Sequence, residues 1–113
     1  MVSFNRELAL DRVGGDEELL REVAGIFLCE YPGLVEQIRA AIAEADAEGL
    51  QRSAHTLKGS LLTMGAEAAA ELAFALEKCG RNKNPADGVE LLERLEAELG
   101  NVHEAVARFA GGG

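Results

Sequence analysis

Apolar residues recur at helical spacing along nearly the whole chain. From Leu50 they fall at Ala54, Leu57, Leu61 and Met64, in alternating steps of four and three that lay one stripe along a helix predicted over about Ala47 to Met64. Asp46 is the expected N-cap of this helix and Gly65 its expected stop. Before it, Leu20, Val23, Ile26, Phe27, Leu34, Ile38 and Ile42 keep one face of a long segment whose start carries Asp16, Glu17 and Glu18, acids that the helix dipole favours at that end. Pro32 has no amide donor and disfavours helical geometry at Tyr31, which predicts a kink or short break at Tyr31-Pro32-Gly33. A short first helix, about Asn5 to Arg12, has Asn5 as its cap and Leu8 pointing inward, and Gly14-Gly15 ends it. After Gly65, a helix over about Ala66 to Cys79 turns Leu72 and Leu76 to the core, with alanine at 66, 68, 69, 70, 73 and 75 to permit close helix approach. Gly80 to Lys83 reads as a turn. Asn84-Pro85-Ala86-Asp87 then opens a last helix, whose stripe runs through Leu91, Leu95, Leu99, Val102 and Val106 to about Phe109. Four long helices joined by connections of a few residues run antiparallel to their neighbours. The expected fold is all-α, an antiparallel up-down-up-down four-helix bundle with a short additional N-terminal helix.

Composition narrows the partners. A chain of 113 residues, 48% hydrophobic and 27% charged, has material for one domain, taken as residues 1–110 with a flexible tail over 111–113. Its net charge of −9 argues against nucleic acid, which needs a basic footprint, and favours a protein partner. No apolar run approaches eighteen residues, and no basic segment leads into an apolar one at the start, so the expectation is no membrane insertion and a cytoplasmic location. Cys29 and Cys79 form no C-x-x-C pair and read as reduced, buried thiols.

His55 stands off the apolar stripe of its helix. At about 100° per residue it points roughly 140° from the stripe's centre and shares its face with Gln51, Arg52, Gly59 and Leu62. Arg52 and Lys58 outweigh Glu48 on this helix, so the surface around His55 is neutral to positive on an acidic body. An exposed imidazole is suited to take and give a phosphoryl group, because histidine with its ordinary pKa of about 6.5 is mostly unprotonated at neutral pH. Lys58 lies on an adjacent part of the surface, where its ammonium can offset phosphoryl charge. Gly59, one turn below His55, costs the helix about 1 kcal/mol relative to alanine, and access for a partner's active-site rim is the reason offered for it. His103 has no comparable neighbours and is placed on a solvated face. No spacing brings the two histidines together with further ligands for a metal.

His55-Thr56-Leu57-Lys58-Gly59-Ser60 followed by Gly65-Ala66 resembles the signature of histidine-containing phosphotransfer domains of bacterial phosphorelays. Gly14-Gly15-Asp16-Glu17-Glu18-Leu19-Leu20 upstream, and Leu76-Glu77 with Gly80-Arg81 downstream, are similar to that family as well, so the likeness spans most of the chain. The resemblance implies a four-helix bundle in which His55 accepts a phosphoryl group from the aspartate of one response-regulator receiver domain and passes it to another. It also implies that Lys58 assists electrostatically and that Gly59 leaves room. The partners implied are receiver domains, which supply Mg²⁺ and most of the catalytic machinery, and a hybrid histidine kinase. The chain itself needs no cofactor or metal, and with no nucleotide-binding loop it is expected to be a monomeric carrier without kinase activity. Leu61 and Leu62 depart from the family pattern, which commonly has small residues there. Leu61 is expected inward, accommodated by the alanines of the following helix, and Leu62, about 20° from His55 around the helix, is a candidate docking residue. Arg52 is a candidate docking cation or a plain surface charge. The rival reading is a helical interaction or dimerisation module that binds receiver or kinase domains without carrying phosphoryl. A catalytic domain using histidine as a base lacks a partner acid or nucleophile.

Overall fold

The computed structural model describes residues 2–111, and those residues form helices and turns with no strand. The helices are α1 (Arg6–Arg12), α2 (Glu17–Ala43), α3 (Ala47–Thr63), α4 (Glu67–Arg81) and α5 (Gly88–Ala110), with a 3₁₀ turn at Pro85–Asp87 leading into α5. Helices α2 to α5 make the bundle and α1 packs at its end, so the molecule measures 40 × 23 × 21 Å, its long dimension set by the 27 residues of α2 at about 1.5 Å each. Gly111 caps α5; residues 112 and 113, the rest of the expected tail, lie outside the described residues. No helix of the described chain is long and apolar enough to cross a membrane.

Local chemistry sets the boundaries. Asn5, Asp16 and Asp46 each accept from an amide three residues on, satisfying a donor that the helix itself leaves free. Gly65 ends α3 with φ of 66°, and a Cβ there would lie 2.5 Å from the Asn5 carbonyl oxygen. Its own carbonyl accepts from the Asn5 amide at 3.0 Å, so one glycine both stops α3 and seats the entry to α1. The stripe of α3 is buried as expected, with Leu50, Ala54, Leu57 and Leu61 at 0% exposure and Met64 at 1%. Leu61 belongs to the same buried core as Ala69, Ala70 and Ala73 of α4.

Several expectations are corrected. Helix α2 runs through Pro32 without a break: the proline and Gly33 are exposed, and Phe27, Val35 and Ile38 anchor both halves in the core. Ile26 is 57% exposed, because one residue from Phe27 is about 100° around the helix and that rotation carries it out of the packed face. In α1 the inward residue is Ala9 rather than Leu8, a small side chain where the short helix rests on the bundle. In α5 the stripe passes through Leu92, with Leu91 at its edge. Asn84 bonds the Asp87 carboxylate instead of capping the backbone, and the chain enters α5 through the 3₁₀ turn. Cys79 is partly buried but Cys29 is exposed, and both are free thiols. The largest correction is at Gly80. It lies inside α4, not in a turn, and a Cβ there would stand 2.5 Å from the Gln51 amide nitrogen and 2.6 Å from the Ala47 carbonyl oxygen. The left-handed turn residue is Lys83, with φ of 57°.

Candidate functional site

The close approach at Gly80 brings the C-terminal half of α4 onto the N-terminal half of α3. In this antiparallel pair the helix that carries His55 faces one whose packed side reads Ala69, Ala70, Ala73, Leu76, Glu77 and Gly80. Glu77 is therefore a carboxylate on a core face, its side chain only 6% exposed. A lone charge there would be costly, and this one is met by two cations and a histidine. Nδ1 of His55 lies 3.1 Å from Oε2, Arg81 donates to Oε2 at 3.0 Å from the next turn of α4, and Lys58 Nζ stands 2.8 Å from Oε1. At that distance the Lys58 ammonium forms an ion pair with the carboxylate. Burial alone would raise the Glu77 pKa, but the contacts with Lys58 and His55 outweigh it and hold the carboxyl below its ordinary value.

An ionised Glu77 can only accept, and this fixes the ring. Nδ1 of His55 carries the proton and donates it to Oε2, which leaves the lone pair on Nε2. The His55 side chain is 66% exposed, so that nitrogen belongs to a ring open to a second protein. A recess beside it is bordered by Glu48, Gln51, Arg52, Thr56 and Glu77.

The chain that carries this site matches a known family. The family model for the Hpt domain matches residues 22–105. The chain belongs to the Hpt domain family. Hpt domains are phosphotransfer carriers in phosphorelays, not kinases, and they interact with receiver domains and hybrid kinases. The fold is shared with histidine-containing phosphotransfer protein B (HptB) from Pseudomonas aeruginosa, at a TM-score of 0.88 and 21% identity over 96% of this chain and 95% of that one. It is shared too with the Hpt domain of a sensor hybrid histidine kinase from Shewanella, at a TM-score of 0.82 and 23% identity over 94% and 92% of the two chains. No curated protein sequence matches the chain.

Within this Hpt domain three of the residues singled out from the sequence, Arg52, Gly59 and Leu62, are exposed on α3. Arg52 is exposed beside the His55 recess, and Gly59 is exposed, with nothing within 4 Å of where its Cβ would stand. Leu62 is 38% exposed and lines a groove between α3 and α4. Lys58 is drawn inward, its side chain 22% exposed and its ammonium held between Glu77 and the ring of Phe74. His103 sits on α5, solvated as expected but not without neighbours: it shares a 2.8 Å hydrogen bond with the Tyr31 hydroxyl, whose ring stacks on Phe27. Sequence reasoning missed Glu77 and Phe74 as members of the site. For Glu77 a signal existed, since it falls four residues after Ala73 and seven after Ala70, an acid on the small-residue stripe.

Proposed function

We propose that His55 is the residue that carries the phosphoryl group, with Nε2 as the reacting atom, Glu77 as its orienting carboxylate and Lys58 as the balancing cation. The observation that carries this reading is the pairing of Nδ1 with the buried, ionised Glu77 while the ring stays largely exposed. The chemistry balances without a proton in transit. The Nε2 lone pair attacks the phosphorus of a receiver's aspartyl phosphate, the bond from phosphorus to the aspartate oxygen breaks, and the aspartate leaves as a carboxylate. The ring has gained a positive charge, which the Nδ1–H contact to Glu77 stabilises. Onward transfer reverses this: a second receiver's carboxylate attacks phosphorus, and the electrons of the P–N bond return to Nε2 as a neutral imidazole leaves. A neutral leaving group makes the phosphohistidine ready to transfer, and the same tautomer serves both directions.

Lys58 offsets Glu77 in the resting state and phosphoryl charge in the loaded one. Arg52 and Gly59 belong to the surface a receiver covers, the first as a cation and the second as open space. The receiver supplies the divalent metal and the remaining catalytic groups; this domain supplies position and charge, the main contributions in phosphoryl transfer. The domain acts as a monomer. Incubation with a phosphorylated receiver domain is expected to put an acid-labile label on His55 that is absent in His55→Gln. Undiminished label in that variant would overturn the assignment, and retained cellular function of His55→Gln would favour a phosphate-independent binding module.

A further inference from the structure

Between α3 and α4, on the side of His55 that leads away along α4, lies an open groove of about 290 Å³. Leu62 forms one wall, Phe74 the other, and Ala70 the floor. Phe74 is 40% exposed and Leu62 38%, so two large apolar side chains stand partly uncovered on either side of the groove. The orientation of Phe74 is nevertheless fixed: Lys58 Nζ stands 4.8 Å from the ring centroid and Lys78 Nζ 4.6 Å. At the other end the groove is lined by Glu67 and Glu71. The groove therefore has a polarity. Its cationic end lies toward His55, and its anionic end lies roughly 9 to 15 Å further along α4, counted from Glu77 at about 1.5 Å per residue.

We propose that this groove is the anchor socket of the docked receiver domain and that its charge polarity sets the docking register. This inference rests on the phosphocarrier reading of His55. It assigns the socket one apolar side chain of the receiver, flanked by an acidic group on the side nearer the phosphoryl aspartate and a basic group one to two helical turns beyond. The charge pattern selects that occupant. A partner that presents an aspartate to His55 brings negative charge to the end held by Lys58 and Lys78, and a basic residue further out meets Glu67 and Glu71. A half-exposed aromatic in a small apolar socket with a charged rim has the anatomy of an interface anchor. Lys58 joins the socket to the chemistry, because the same ammonium rests on Phe74 and on Glu77.

The test uses the intact chain and a purified receiver domain that exchanges phosphoryl with it, with transfer measured over a range of receiver concentrations. Phe74→Ala is expected to raise KM for the receiver about tenfold or more while kcat at saturation changes by less than about threefold, and Glu71→Lys to raise KM by about threefold or more. Labelling by phosphoramidate, a small donor that needs no docked protein, reads His55 alone and is expected at the wild-type rate in Glu71→Lys, whose side chain touches neither His55 nor Lys58. An unchanged KM in Phe74→Ala would overturn the proposal, as would a KM that instead rises in Ile26→Ala on the α2 side. Parallel loss of phosphoramidate labelling and transfer in Glu71→Lys would trace the defect to His55 and also overturn it. So would a sedimentation change from dimer to monomer in Phe74→Ala with KM intact, which would make a second copy the occupant. If the wild-type chain takes no label at His55 from either donor, the phosphocarrier reading itself fails, an outcome distinct from all of these.

Discussion

Gly59 has open space where a side chain would begin, and its own fold makes no demand for glycine there. That separates it from Gly80, where backbone atoms of α3 occupy the place of a Cβ, and from Gly65, whose φ of 66° excludes most other residues. A glycine that the fold does not need, in the interior of an exposed helical surface one turn from His55, costs stability for the sake of something outside the molecule. Gly59→Ala is therefore expected to stabilise the protein by about 1 kcal/mol, read as a higher urea midpoint, because alanine is the better helix former and meets nothing. The same change is expected to slow transfer from a phosphorylated receiver by about tenfold, equivalent to ~1.4 kcal/mol at the transition state, while leaving phosphoramidate labelling of His55 unaltered. A stabilised variant that transfers at the wild-type rate would show that access is not the reason for the glycine.

At the scale of elements, the pairing of α3 with α4 decides most of what the site can do, and it was unevenly legible. The stripe of α3 could be read in full because Leu50, Ala54, Leu57, Leu61 and Met64 sit at its centre, where a shift of neighbouring helices does not change their burial. Residues at stripe edges could not. Ile26, Leu8 and Leu91 were assigned inward by spacing alone, yet which edge residue is covered depends on where the adjoining helix lies. His55 was legible as an exposed ring because its angle from the stripe is large. Its orienting partner was not, since periodicity within one helix does not say which side chain of another will face it, and Glu77 entered only as part of a resemblance. Gly80 was misread for a similar reason: a glycine followed by polar residues has the composition of a turn, and the demand for it comes from α3. Leu61 tests the packed side of the pair. It is fully buried in a core to which α4 contributes mainly alanines, so Leu61→Ala removes a large side chain from among small ones and leaves a cavity. The expected loss is about 2 to 5 kcal/mol by urea denaturation; a loss under about 1 kcal/mol would mean that α3 and α4 collapse into the gap.

The whole molecule carries a net charge of −9, yet the carboxylate at its functional site is held by cations and stays ionised more readily than an ordinary one. Those two facts have opposite consequences in acid. Lowering the pH protonates surface carboxylates and relieves self-repulsion, which favours the compact state of an acidic chain. Glu77 works the other way. Its pKa in the folded protein lies below the ordinary value of 4.5, so below that value the unfolded chain binds the proton more readily than the native one. Its contribution to stability is therefore fully present above about pH 4.5 and drains away as the pH falls through the lower native value. Measured on the wild type alone, the two trends overlap. The difference between the wild type and Glu77→Gln separates them, because both proteins share every other carboxylate. At pH 7 Glu77→Gln is expected to be less stable by about 1.5 to 3 kcal/mol, the range for hydrogen bonds to a charged group, since amide oxygen keeps a partner for His55 but gives Lys58 and Arg81 no countercharge. Urea unfolding followed from pH 7 down to pH 3 is expected to show that difference shrinking below about pH 4.5. A gap that stays constant across the range would mean that the carboxyl contributes by shape and hydrogen bonding alone, and would remove the ionised Glu77 on which the His55 tautomer rests.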